Sequence, residues 1–213
     1  MINISDVKSP SLFFPNLNGL RFVAAFAVII HHVEQTKFLA GIPNSFMNPS
    51  ILLFGNVLDF ACGCGYGSFL LSSNPDVSKV VGVDKDQVSV DWAREHYQTD
   101  KCSFLCEDVA DVQEPFDTLV SLETIEHFEN DELYRKVISN CGIKQVILSY
   151  PNKKSTHFNP FHVRDLNKQA VCSSFGDFIL YHSFNMGDVD FLLFIKAPGH
   201  MPSHIYQNIT DFR

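Results

Sequence analysis

The segment that decides the fold is VLDFACGCGYG, residues 57–67. Its first four residues are mostly apolar and predict a strand, whereas the residues from about 66 to 73 predict a helix. Gly63, Gly65 and Gly67 let the backbone turn sharply and approach a ligand closely, because no Cβ atom intervenes. The segment therefore predicts a strand, a ligand-binding turn and a helix in succession.

Short apolar runs and longer amphipathic runs alternate after this turn. Further strands are predicted at 80–83, 103–106, 116–122 and 145–149, and helices at about 86–97 and 130–141. The last two strands, 178–183 and 191–196, are separated by Asn185, Gly187 and Asp188, which predicts an antiparallel pair. The alternation predicts an α/β fold with a mostly parallel sheet of seven strands, helices on both faces and a closing hairpin.

Two acids accompany the glycine-rich turn. Asp59 lies at the end of the first strand, and Asp84 ends the next one, where a carboxylate can accept two ribose hydroxyls. A dinucleotide-binding fold uses the same turn and acid, but its fingerprint is G-x-G-x-x-G and this turn is G-x-G-x-G. Asp59 would also lie unfavourably close to a pyrophosphate, whereas it suits an ammonium group. Charge therefore favours a sulfonium cofactor with a methionine-like end.

The whole pattern resembles the class I S-adenosylmethionine-dependent methyltransferases, of the small-molecule group often called type 11. Residues 57–67 are similar to their motif I, CEDV at 106–109 to their adenine segment, and 116–127 and 149–152 to their fourth and fifth strands. The resemblance covers about residues 57–197 and implies a Rossmann-like methyltransferase fold that binds S-adenosyl-L-methionine. It places the cofactor on Asp59, Ala61, Gly63, Gly65, Gly67, Asp84, Lys85, Asp108 and Val109. Ala61 departs from the family pattern, which usually has its first glycine there.

Polar residues after the fourth strand are candidates for the chemical step. Glu123, Glu126 and His127 lie at the rim where open α/β sheets bind ligands. His127 is a candidate general base or a residue that orients the loop, and Glu123 is a second catalytic candidate. The spacing E-x-x-E-H is also similar to the metal motif of small-RNA 2′-O-methyltransferases, with His157 and His162 as further ligands. Because this spacing is common in metal-free methyltransferases and the chain is acidic, we expect no metal.

A second segment, residues 157–165, resembles the substrate-side loop of the same family. His162 and Arg164 are therefore candidates for binding the methyl acceptor. The alternative is that they pair with nearby acids.

Composition limits the partners. The formal net charge is −8, which argues against a surface that binds nucleic acid. The six cysteines do not show the paired spacing of a zinc site, and we expect reduced thiols in a cytoplasmic protein. Neither the oligomeric state nor the methyl acceptor follows from these features.

The amino-terminal segment, residues 1–56, has a different character from the methyltransferase-like domain at 57–213. Residues 17–39 predict a helix whose apolar core, residues 22–30, is short for a membrane span. Residues 12–56 resemble the first membrane helix of the acyltransferase 3 family, as though two genes had been fused. Because the later spans of that family are missing, we expect no acyl transfer, but residues 17–39 could contact a membrane.

These features favour a methyltransferase that acts on a small molecule or an envelope glycan precursor. The alternative is a fusion remnant, inactive or weakly active, that binds the cofactor and associates with membrane through its amino-terminal helix. The two hypotheses arise because the foreign segment replaces the helices that usually cover the cofactor in this class.

Overall fold

The computed structural model describes residues 55–157 and 159–196. Seven strands and four α-helices follow one another as β1 Gly55–Phe60, α1 Tyr66–Ser72, β2 Val77–Asp84, α2 Gln87–Tyr97, β3 Cys102–Cys106, β4 Thr118–Leu122, α3 Glu132–Cys141, β5 Gln145–Pro151, α4 Lys168–Ser174, β6 Phe178–Met186 and β7 Val189–Lys196. Two short 3₁₀ turns, Val109–Asp111 and Ile125–His127, follow β3 and β4 respectively.

The strands form one seven-stranded sheet in the order β3-β2-β1-β4-β5-β7-β6. The first five strands pair in parallel, and β7 runs antiparallel to both β5 and β6. The carboxyl ends of β1 and β4 lie side by side at the point where the strand order reverses. Ligands bind open α/β sheets outside such a switch point, so the topology directs attention to the residues after β1, β2 and β4.

Apolar side chains are buried on both faces of the sheet, in two separate cores. Neighbouring residues of one strand contribute to different cores, because they point to opposite faces. Leu58 belongs to the larger core, which also includes Tyr134 and Val137 of α3, and Val57 belongs to the smaller core with Val90 of α2. This two-sided burial is the reason that the parallel strands are continuous apolar runs rather than alternating ones.

Helix ends and turns follow local chemistry. The Asp86 side chain accepts a hydrogen bond from Ser89 N and caps α2. Gly142 ends α3 in the left-handed conformation, with φ 66°. Gly187, at φ 63°, occupies the turn between β6 and β7, where a positive φ matches the twist of a hairpin.

The predicted fold class is confirmed, including the closing hairpin. Most predicted strands are extended by a few residues, and β1 begins at Gly55, so Gly55 and Asn56 belong to the sheet rather than only to the amino-terminal segment. Helix α4, Lys168–Ser174, was not predicted. Its seven residues bury only Val171, so its sequence carries almost no amphipathic signal.

Several expectations concern residues outside the described ranges. The predicted helix at 17–39 and the acyltransferase-like similarity of 12–56 fall there, apart from Gly55 and Asn56, and they stay predictions. None of the helices in residues 55–157 and 159–196 combines the length and apolar character of a transmembrane span. All six cysteines lie within the described residues and are free thiols.

Candidate active site

The bend after β1 is tied to the end of β2 by backbone hydrogen bonds. Cys62 N donates to Val83 O at 3.1 Å, and Gly63 N donates to Asp84 Oδ2 at 2.8 Å. Asp86 N donates to the other oxygen, Asp84 Oδ1, at 2.9 Å. The Asp84 carboxylate therefore faces the bend and is held in a fixed orientation. It is half-buried, and each of its oxygens has lone-pair capacity for a further donor.

The glycines of the bend have different roles. Gly65 has φ 79°, and a Cβ atom there would lie 2.5 Å from Ala93 Cβ and 2.6 Å from Phe104 Cε1. Gly65 is therefore required by packing against α2 and β3, which the sequence did not reveal. Gly63 has φ 54°, and Gly67 lies in the first turn of α1.

Ala61 also adopts a left-handed backbone, with φ 60°. This conformation is unfavourable for a residue with a Cβ atom, and it explains why the resembled family usually has glycine at this position. Alanine is accommodated with some backbone strain.

Asp59 is buried below the bend, with 6% of its surface exposed. Ser68 Oγ of α1 donates a hydrogen bond to Asp59 Oδ2 at 2.5 Å. Burial raises the pKa of Asp59 to about 6, and Ser68 partly opposes this shift while the nearby Asp84 carboxylate adds to it. Ser68 is a partner that the sequence analysis did not identify, although its spacing of nine residues from Asp59 spans the turn.

The predicted adenine segment lies beside the end of β2. Lys85 Nζ pairs with Asp108 Oδ2 at 2.7 Å. Asp108 Oδ1 also accepts from Ala110 N at 2.9 Å and caps the 3₁₀ turn that begins at Val109. The hydrogen bond from Lys85 is the main reason that the pKa of Asp108 lies below its usual range. The structure thus brings together Asp84, Lys85 and Asp108, as the sequence predicted.

The rim after β4 contains a strained acidic residue. Glu123 has φ 50°, which is unusual for a residue other than glycine. Its N–H donates to Ser149 Oγ at 3.0 Å, and Ser149 Oγ donates to Glu123 Oε1 at 2.8 Å. Burial raises the pKa of Glu123 to about 7. Strained backbone of this kind is concentrated at functional sites, and no sequence feature indicated it here.

Glu126 lies in the adjacent 3₁₀ turn and is 1% exposed. Neither of its carboxylate oxygens has a hydrogen-bond partner among the described residues. Its nearest basic group is His162 Nε2, 3.8 Å from Oε1. Burial, with a contribution from Glu123, raises the pKa of Glu126 to about 8. The sequence placed Glu126 at this rim with Glu123 and His127, but it assigned a role in the chemical step only to those two.

Two histidines complete this part of the rim. His127 is exposed, and its Nδ1 lies 2.8 Å from Phe161 O. His162 Nδ1 lies 2.7 Å from Ser155 Oγ, and burial together with His127 lowers the pKa of His162. The two rings are perpendicular, with centroids 4.9 Å apart. His127 and His162 are thus brought together with Glu126 by segments distant in sequence.

Arg164 is engaged by the protein itself. Its guanidinium donates to Ile125 O at 3.2 Å and pairs with Asp131. Asp131 also accepts a hydrogen bond from Ser174 Oγ of α4. Of the two alternatives for Arg164, the geometry favours the ion pair, because the guanidinium joins the β4 rim to α3 and α4. Its predicted role in acceptor binding stays a prediction.

Comparison with known proteins bears directly on this arrangement. Residues 57–142 match the family model described as a methyltransferase domain. This region begins in β1, includes the bend and Asp84, and ends at the last turn of α3. Over these residues the chain is similar to that methyltransferase family.

Relatives of the methyltransferase domain extend the match. The chain is 27% identical over 156 residues to a Mycobacterium tuberculosis protein named "Probable S-adenosylmethionine-dependent methyltransferase", covering 63% of this chain and 55% of that protein. It is 25% identical over 152 residues to the mitochondrial ubiquinone biosynthesis O-methyltransferase of Saccharomyces cerevisiae, covering 68% and 47% respectively. The chain therefore spans about half the length of these relatives.

A solved structure shares the architecture. The magnesium protoporphyrin IX methyltransferase of Synechocystis PCC 6803, crystallised with S-adenosylhomocysteine, superimposes with a TM-score of 0.58 at 18% identity. The alignment covers 78% of this chain and 84% of that one. At this identity the likeness concerns the fold. It confirms the predicted Rossmann-like methyltransferase fold.

Proposed function

We propose that the methyltransferase domain binds S-adenosyl-L-methionine at the bend after β1 and transfers its methyl group to a small molecule or an envelope glycan precursor. The observation that carries the proposal is the Asp84 carboxylate, which faces the bend and accepts Gly63 N at 2.8 Å. The names of the M. tuberculosis relative and of its homologues contain the same cofactor.

The residues at the bend fit this cofactor. Asp84 is half-buried, and each of its oxygens has accepted one backbone N–H, so both can accept a ribose hydroxyl as well. Asp59 supplies a carboxylate for the ammonium group at the methionine end. Asp108, which is paired with Lys85, is assigned to the adenine. When bound, the cofactor supplies a methyl group on a sulfonium, which is a strong leaving group.

The protein's part in the reaction is mostly positioning. Methyl transfer requires the acceptor atom in line with the sulfonium, and correct placement supplies much of the rate acceleration. His127 is exposed at the rim, and because its Nδ1 donates to Phe161 O, the neutral ring has its lone pair on Nε2. We assign His127 the removal of the acceptor proton, with Glu123 at the end of β4 as a second proton acceptor.

The acceptor is proposed from two features. The ubiquinone relative acts on oxygen in a small molecule according to its name. The acceptor also has to approach the β4 rim, and the net charge of −8 disfavours a polyanionic acceptor. The similarity of residues 12–56 to envelope acyltransferases adds the glycan precursor as a candidate, together with membrane contact through residues 17–39.

The test is calorimetric titration with S-adenosylmethionine. We expect a dissociation constant in the micromolar range, about −8 kcal/mol. In Asp84→Ala the affinity should fall by more than tenfold, because the ribose hydroxyls lose their acceptor. In Asp84→Asn the amide oxygen can still accept from Gly63 N. This variant therefore shows whether affinity is lost because the negative charge is removed or because the bend collapses. Asp91→Ala, an exposed carboxylate on α2, is the matched control.

Equal affinity in the wild-type chain and in both Asp84 variants would remove this residue from the site. Release of S-adenosylhomocysteine with glycan precursors or small phenols then tests turnover. Tight cofactor binding without turnover on either acceptor class would favour the fusion-remnant hypothesis over the enzyme.

A further inference from the structure

Three potential ligands meet at the carboxyl end of β4. Glu126 and His127 belong to the 3₁₀ turn Ile125–His127, and His162 comes from the segment after β5. One ligand atom from each of the three residues lies within 4.8 Å of the other two. His157, the other histidine considered from the sequence, is not in this group.

Glu126 gives an independent indication that something is bound there. Its side chain is 1% exposed, yet neither carboxylate oxygen has a hydrogen-bond partner among the described residues. Leaving such a group buried without partners costs several kcal/mol in general. The closest candidate, His162 Nε2 at 3.8 Å, is too distant for a hydrogen bond. A bound cation would supply the missing partner to both oxygens.

The histidines are arranged as metal ligands usually are. A ligating histidine donates its other ring N–H to a carbonyl or a similar acceptor, which fixes the ring. His127 Nδ1 does so to Phe161 O at 2.8 Å. His162 Nδ1 can do so to Ser155 Oγ at 2.7 Å. In both rings this leaves the lone pair on Nε2, and Nε2 of His162 is the atom that faces Glu126.

We propose that Glu126, His127 and His162 bind one divalent transition-metal cation. Two histidines and one carboxylate suit Zn²⁺, Mn²⁺ or Co²⁺ and leave coordination positions open. Ligand atoms about 2.1 Å from one cation lie roughly 3–4 Å from each other, so the present group closes with side-chain shifts on the order of 1 Å. The sequence favoured no metal, because residue spacing alone does not show that the Glu126 carboxylate is buried without a hydrogen-bond partner among the described residues.

The three ligands lie at the rim after β4, where the acceptor is expected to bind. An oxygen of the acceptor would then complete the coordination, and Glu123 rather than His127 would accept its proton, because Nε2 of His127 would be bound to the cation. This consequence rests on the proposed function, whereas the metal site itself does not.

Cobalt titration of the full chain tests the site. Co²⁺ is followed by its visible d–d absorption in the wild-type protein, in Glu126→Gln and in His162→Gln. His182→Gln, an exposed histidine on β6, is the matched control. We expect saturation at one equivalent in the wild type and the control, and at least tenfold weaker binding in the two site variants. Circular dichroism establishes that each variant is folded, and His127→Gln replaces any variant that is not.

Two results would overturn the proposal. One is the same titration in all four proteins, or no saturable binding in any of them. The other is a thiolate-to-cobalt charge-transfer band, which would place the metal on free cysteines such as Cys62 or Cys64. Calorimetry with S-adenosylmethionine on the same samples separates the hypotheses: cofactor binding without cobalt binding removes only the metal site, and cobalt binding without cofactor binding removes the proposed function.

Discussion

Replacing Gly65 by alanine tests whether the bend is shaped by the protein's own packing. The new Cβ atom would lie 2.5 Å from Ala93 Cβ and 2.6 Å from Phe104 Cε1. Carbon atoms normally approach to about 3.5–4.0 Å, so α2 or β3 must move by roughly 1 Å. Insertion of a methyl group into a packed core in this way costs about 1–3 kcal/mol.

A second penalty comes from the backbone. Gly65 has φ 79°, and a left-handed conformation costs alanine about 1–2 kcal/mol. The alanine also restricts the unfolded chain, which returns roughly 0.4–1 kcal/mol. The sum predicts that Gly65→Ala lowers the free energy of unfolding by about 1–5 kcal/mol. For a chain of this size each kcal/mol lowers the melting temperature by roughly 2–4 °C.

Gly142→Ala is the matched control for the backbone penalty. Gly142 has φ 66°, and a Cβ atom there would meet no atom within 4 Å. It ends α3 and precedes the amino end of β5, away from the switch point. Both variants share the conformational penalty, so their difference measures the packing clash alone, which we expect to be about 1–3 kcal/mol.

The assay is urea denaturation followed by far-ultraviolet circular dichroism, with calorimetric titration of S-adenosylmethionine on the same samples. If Gly65→Ala is no less stable than Gly142→Ala, the packing argument is wrong. If in addition the cofactor affinity of Gly65→Ala falls, then glycine is required at this position so that the backbone can approach the ligand closely, as the sequence alone suggested.

Two further predictions concern buried charges. The pKa of Asp59 is about 6 in the folded state and 3.8 ordinarily, so between these values the folded state keeps a proton that the unfolded state loses. The contribution of Asp59 to the free energy of unfolding therefore falls as the pH rises from about 4 to 6. Asp59→Asn should remove up to about 3 kcal/mol of that fall in urea titrations, and an unchanged pH dependence would contradict it. Arg164→Met leaves Asp131 without its ion pair and should lower the free energy of unfolding by about 2 kcal/mol. Lys153→Met, which breaks the exposed ion pair with Asp188, should cost less than about 1 kcal/mol. Equal losses in the two variants would show that Arg164 has no special structural role.

The sheet could be predicted from the sequence because its strands are buried on both faces. VLDF at 57–60 and VVGV at 80–83 are continuous apolar runs, and Gly187 indicates the hairpin turn. Helix α4 could not be predicted in the same way, because only Val171 of its seven residues is buried. Asn167 was an available signal, since its side chain accepts from Ala170 N and caps this helix.

The site could be predicted only where motif order determines it. Asp84, Lys85 and Asp108 follow strand ends that the topology makes adjacent, so their proximity follows from the predicted sheet. The engagement of Arg164 by Asp131 depends on how a loop after β5 folds back onto α3, which no local pattern encodes. The burial of Glu126 depends on the same loop, because Val163 N donates to Glu126 O at 3.0 Å.

The two halves of the site differ in how far the protein satisfies its own polar groups. At the bend, both oxygens of Asp84 accept backbone hydrogen bonds, so this half is formed before a ligand binds. At the rim, the oxygens of Glu126 lack partners among the described residues, and a ligand there relieves an existing penalty. Binding to the folded state alone stabilises it by an amount that grows with the logarithm of the ratio of ligand concentration to dissociation constant. Co²⁺ should therefore raise the unfolding temperature of the wild-type chain more than that of Glu126→Gln at every concentration, because the neutral amide binds the cation more weakly than the carboxylate does.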